Sequence, residues 1–163
     1  ACSYTFRGMD PIYNQYRRDL KEEQLFTYTD DRLRVYMKDK EYLKCNAFMT
    51  SVGGYRFLSL RFSFAYPNAR EAYGFIEKGS VLILKLLNGG FIKLQSGKMA
   101  KGKYDTQKEL LTYEVNYEIG SNVINSLKNH EIDRIIVSWS SGYEEYEVYN
   151  LDFFANQLNC LDR

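Results

Sequence analysis

Leu111, Tyr113, Val115, Tyr117 and Ile119 alternate with Thr112, Glu114, Asn116 and Glu118. This period of two is that of a strand with one buried and one solvated face. The same period sets Leu33, Val35 and Met37 against Arg34, Tyr36 and Lys38, and predicts an early strand, with Asp30-Asp31 as its hairpin turn. Two longer alternating runs, 42–52 and 55–66, flank Gly53-Gly54. Paired glycines accept positive φ, so these runs are expected to form a hairpin. In its second arm Leu58, Leu60, Phe62 and Phe64 share one face, and Phe57, Ser59, Arg61 and Ser63 the other.

A second hairpin is predicted from 80–87 and 91–95, turning at Asn88-Gly89-Gly90. Its first arm is apolar on both faces, with Leu82, Leu84 and Leu86 against Val81, Ile83 and Leu87, the pattern of a central strand covered on both sides. A third pairs 132–139 with 143–149 around Ser141-Gly142. If Tyr146 and Val148 face the core there, Tyr143 and Tyr149 face outward with Glu145 and Glu147.

Helical signals are fewer. Asp10-Pro11 resembles an N-cap with proline in the first turn, followed by Ile12, Tyr16 and Leu20 on one face; the alternative is an extended lead-in. Ser121 is placed to cap a short helix carrying Val123, Ile124 and Leu127. Asn150 is placed to cap a last helix carrying Leu151, Phe154, Leu158 and Leu161. Gly97–Lys108 is polar and lysine-rich, and is expected to be a mobile loop. The elements predict a mainly β (α+β) domain over 1–163. Its antiparallel hairpins would form a sandwich or strongly curved sheet. Residues 1–24 would be the lead-in, 25–149 the sheet with its short helix, and 150–161 a C-terminal helix packed on the sheet.

Composition supports strands: 15 Tyr and 10 Phe accompany a single Trp and two Pro. A net charge of +1 lacks the basic excess of a nucleic-acid binder. Charge is uneven along the chain, with Lys85, Lys93, Lys98, Lys101 and Lys103 in the middle and Glu144, Glu145, Glu147 and Asp152 near the end. Both groups read as solvated faces.

The common chemistries lack their residues. Gly97 to Lys103 has the glycine spacing of a phosphate loop, but Tyr104 stands where a magnesium-holding hydroxyl is needed, and a strand rather than a helix follows. The single histidine, His130, ends the short helix, where it would interact with backbone carbonyls. No nucleophile elbow, dinucleotide fingerprint, redox cysteine pair or metal-ligand spacing is present, so no cofactor and no metal are expected. The chain reads as non-catalytic. Exposed aromatic side chains remain, and Tyr36, Phe57, Tyr143 and Tyr149 are the candidates for contact with protein or glycan. The alternatives are a purely structural domain, or a small-ligand or hydrolytic domain with a pocket between the sheet and the last helix.

Three cysteines bear on compartment. Ala1-Cys2-Ser3 resembles the flank of a bacterial lipoprotein cleavage point, so Cys2 is a candidate lipidation site, and a lipid there would be the only membrane contact. A Cys45–Cys160 disulfide is the expectation for an oxidising compartment, although spacing does not establish the pairing. The stretch Glu77 to Leu94, with the later tyrosine-rich strand, short helix and Ile132-Asp133-Arg134-Ile135-Ile136-Val137, resembles small uncharacterised sheet-rich domains of Bacteroides-type bacteria, which are often exported. The resemblance implies a cell-envelope setting, periplasmic or on the outer surface, with a cytoplasmic chain as the alternative.

Overall fold

In the computed structural model, which describes residues 1–162, the chain runs β1 (Tyr4–Met9), β2 (Tyr16–Leu20), β3 (Glu23–Tyr28), α1 (Asp31–Met37), β4 (Leu43–Val52), β5 (Tyr55–Phe64), α2 (Ala69–Tyr73), β6 (Val81–Leu86), β7 (Phe91–Gln95), β8 (Lys103–Asp105), β9 (Leu110–Ile119), α3 (Ser121–Asn129), β10 (Ile132–Trp139), β11 (Gly142–Glu147) and α4 (Phe153–Leu161). Every strand pairing is antiparallel. One sheet has seven strands in the order β1-β2-β4-β5-β9-β8, with β3 also on β4, and the other four in the order β11-β10-β6-β7.

The two β4 neighbours on one edge explain the curl of the larger sheet. β2 pairs with Thr50–Val52 and β3 with Leu43–Ala47. The sheets then meet along two seams. Ser96 bridges Tyr117, and Gly97 N–H donates to the Asn116 carbonyl, joining β7 to β9. Tyr149 and Asn150 N–H both donate to the Leu25 carbonyl, joining the end of β11 to β3. The strands therefore follow a nearly closed ring, β3-β4-β5-β9-β7-β6-β10-β11. Its interior holds the alternating apolar positions, among them Phe26, Ala47, Leu58, Leu60, Phe62, Leu84, Ile135 and Val137, all buried.

One end of the ring is plugged by α4, whose Phe153, Phe154, Leu158 and Leu161 are buried. Its one buried polar side chain, Gln157, is fully engaged. The carbonyl accepts Met49 N–H at 2.8 Å, while the amide donates to the Lys21 carbonyl at 3.2 Å and to Glu23 Oε2 at 2.6 Å. A Cys2–Cys160 disulfide fastens α4 to the N-terminal segment. The opposite end, where β3, β5 and β10 finish and β4 and β11 begin, is flanked by α1 and α2 and is called the mouth below.

Several expectations are corrected. Residues 31–37 form α1 rather than a strand, because Asp30 is an N-cap, not a hairpin turn: its side chain accepts Arg32 N–H at 2.9 Å. Residues 1–24 form no helix. Asp10 instead nucleates the β1–β2 turn, accepting Ile12 and Tyr13 N–H at 2.8 and 2.9 Å, and Arg17 beside it helps hold its carboxyl below the usual carboxylate range, after the stronger effect of the Tyr13 amide. Neither Ser121 nor Asn150 is an N-cap; Gly120 and Asp152 occupy those positions without side-chain capping. The lysine-rich segment contains β8, paired with β9. Strand β6 lies between β10 and β7 but is covered on one face only: Val81 and Ile83 are half-buried and Leu87 is exposed. Cys45 is a buried free thiol, so the disulfide joins Cys160 to Cys2 instead.

Tyr117, fully buried within the ring, has a hydroxyl with no hydrogen-bond partner among the described residues. An orphaned buried hydroxyl costs roughly 1–3 kcal/mol of desolvation. Tyr117→Phe is therefore expected to raise the unfolding free energy in urea by about 1 kcal/mol; a loss of stability would mean that the hydroxyl is satisfied in solution.

Candidate functional site: an aromatic barrel mouth

The alternation that buries Trp139, Tyr113, Phe64 and Tyr146 inside the ring also stacks them beneath the mouth. Trp139 lies in their midst, with ring centroids 5.1 Å from Phe62, 5.7 Å from Phe64, 5.3 Å from Tyr73 and 5.1 Å from Tyr113, all edge-on. The polar tips of this floor are satisfied. Trp139 Nε1 donates to the Tyr146 hydroxyl at 3.1 Å, and the Tyr113 hydroxyl to the Gly74 carbonyl at 2.6 Å.

Four tyrosines from different elements rise above that floor. Tyr28 ends β3 and stands edge-on to Tyr146 at 5.9 Å. Tyr42 precedes β4 and lies 6.2 Å from Tyr66, which follows β5, and 6.5 Å from Tyr73, which ends α2. Tyr73 is fixed by the glycine after it. Gly74 has φ +79°, and an added Cβ would collide with Ser140 Oγ, the atom that accepts Phe75 N–H at 3.0 Å. The β10–β11 turn and α2 are thereby held together.

Tyr28 and Tyr66 are about two-fifths exposed, and Tyr42 and Tyr73 half-buried. Among the described residues none of the four hydroxyls hydrogen-bonds to another protein group. Burial pushes the Tyr28, Tyr42 and Tyr73 hydroxyls above the ordinary tyrosine range, and the carboxylates of Asp30 and Glu144 add to the effect at Tyr28 and Tyr73. They remain protonated at neutral pH, and so can donate as well as accept.

Glu144, expected on the solvent face with Glu145 and Glu147, is exposed as they are, although it shares the parity of buried Tyr146 on β11. Glu145 faces out and pairs with Lys85 at 2.5 Å and Arg134 at 3.8 Å.

The aromatic residues chosen from the pattern lie elsewhere. Tyr36 is on the exposed side of α1, Phe57 is half-buried on the outer face of β5, and Tyr143 and Tyr149 face outward at opposite ends of β11, exposed as expected. Among the described residues no ring contact joins any of the four. His130 Nδ1 donates to the Ser126 carbonyl at 2.7 Å, as a helix-terminal histidine should. The Cys2 sulfur is bonded to Cys160, and a lipid thioether requires the same atom, so the disulfide displaces the expected lipid attachment.

Two surface grooves accompany the mouth. One, of about 600 Å³, crosses the uncovered face of β6 and β10 between Ile83, Ile136, Phe91, Lys93 and Arg134. The other, of about 620 Å³, lies beside α4 and the disulfide. Its carboxylates are tied into the fold, Glu22 to Asn46 and Arg61 and Glu23 to Gln157. No family model, no curated protein and no solved structure matches this chain.

Proposed function

We propose that this chain is a non-catalytic binding module of the bacterial cell envelope that holds a glycan at the mouth of its barrel. The observation that carries this reading is the group Tyr42, Tyr66 and Tyr73, three adjoining rings, with Tyr28 set against Tyr146, on the aromatic floor around Trp139; among the described residues none of the four hydroxyls is committed to a hydrogen bond. Pyranose rings present apolar C–H faces that stack on such side chains, and their hydroxyl groups find partners at the tyrosine tips. The Cys2–Cys160 bond supports an exported setting, because disulfides persist in oxidising compartments.

Titration calorimetry against a panel of bacterial and plant oligosaccharides tests the reading. Tyr28→Ala and Tyr66→Ala are each expected to weaken binding about tenfold, whereas Tyr143→Ala and Tyr149→Ala leave it unchanged. Binding lost at Tyr143 or Tyr149 instead would move the site to the outer face of β11. Absence of binding to any oligosaccharide, with protein partners recovered through the same tyrosines, would replace glycan by protein as the ligand.

A further inference from the structure

The uncovered outer face of the four-stranded sheet carries opposite charges on its two margins. Strand register sets Glu145, Ile136, Ile83 and Lys93 in one row straight across β11, β10, β6 and β7. The row runs acid, apolar, apolar, base. Ile136 and Ile83 are half-buried and line the groove of about 600 Å³, while Glu145 and Lys93 are exposed. The adjacent row is Glu147, Arg134, Lys85 and Phe91. Its two cations are met within the chain by Glu145, at 3.8 and 2.5 Å. Lys93 rests over the Phe91 ring at 5.6 Å. Among the described residues neither Lys93 nor Glu147, on opposite margins, has an ion-pair partner.

A half-turn about an axis lying on this face along the strands exchanges its margins. Strand β11 of one copy then lies over β7 of the other, and β10 over β6. Acid meets base at both margins, and isoleucine meets isoleucine between them. We propose that this face joins two copies of the chain in a sheet-on-sheet dimer, with Glu147 of each copy reaching Lys93 of the other. A closed two-fold interface needs a surface that complements itself, and the order of this row is such a surface. The half-turn also sets Arg134 opposite Lys85 of the other copy, and the two Glu145 carboxylates carry the neutralising charge there. Four strands about 4.8 Å apart and about six residues long cover roughly 20 by 20 Å. That is the low end of specific interfaces, so the dimer should dissociate at about 10 μM. Because the axis runs along the strands, both mouths open toward the same side. The proposal is independent of the glycan reading.

Sedimentation equilibrium of the oxidised chain, from about 1 to 500 μM, is expected to show a monomer passing into a dimer. Raising salt should weaken it. Lys93→Glu and Glu147→Lys, both at exposed positions, should each weaken the dimer about tenfold or more, since like charges then meet at both margins. Mixed in equal amounts, the two variants should associate as tightly as the parent, each presenting the charge the other lacks. That recovery would also show that both variants are folded. A parent that stays monomeric at the highest concentration would overturn the proposal. So would a dimer indifferent to both reversals, or two weakened variants that fail to restore each other.

Discussion

Cys2→Ser is expected to lower the unfolding free energy by about 3–5 kcal/mol, measured by urea denaturation without reductant. The size follows from the span of the link. The bonded residues are 158 apart in sequence, with Cα atoms 5.6 Å apart in the fold, so the bond restrains nearly the whole unfolded chain. The same residues join α4 to the start of the larger sheet, where the Tyr4 hydroxyl donates to the Cys160 carbonyl at 3.0 Å. Cys160→Ser should act alike, and reductant should bring the unaltered protein to the stability of either variant. Cys45 offers the internal control: burial raises its thiol well above the ordinary range, so it should resist alkylation until the protein unfolds. A change below about 1 kcal/mol in both serine variants would show that the packing of α4 alone holds the two ends together.

Trp139→Ala should lower stability by about 3–5 kcal/mol, the cost of emptying a large aromatic site in a closely packed interior. Four ring contacts are lost at once, and the Tyr146 hydroxyl loses the indole N–H that reaches it. Because Trp139 is the only tryptophan, unfolding of the variant must be followed by far-ultraviolet circular dichroism. Trp139→Phe keeps most of the volume and should cost distinctly less. If the alanine variant proved nearly as stable as the parent, the floor of the mouth would be loosely packed, and the tyrosines above it would not be rigidly held.

The parts of this fold that local patterns disclose are those where side-chain alternation and turn chemistry agree. Gly53-Gly54 and the Leu58–Phe64 alternation specify the β4–β5 hairpin, and the run from Leu111 to Ile119 specifies β9. Where the two signals part, the pattern misleads. Leu33, Val35 and Met37 alternate, yet only Met37 is buried, and the Asp30 cap decides for a helix. Strands β1 and β2 were hidden because their ribbon contributes little to the core: of the residues in these strands only Leu20 is buried. The disulfide depends on where the two ends of the chain meet, which no local spacing records.

The mouth was hidden for a related reason. Tyr42 and Tyr66 are brought together by the β4–β5 pairing itself, whereas Tyr73 comes from α2 and Tyr28 from the end of β3, a convergence that no single local pattern records.

The link between Cys2 and Cys160 also governs how the domain responds to pulling. Tension applied between its two ends passes through one covalent bond, and the strands between them bear none of it. In the oxidised protein the barrel should stay folded in such an experiment at loads that unravel ordinary sheets. In reductant the same pull would strip α4 and the β1–β2 ribbon from opposite ends of the chain, leaving the aromatic mouth among the last parts to yield.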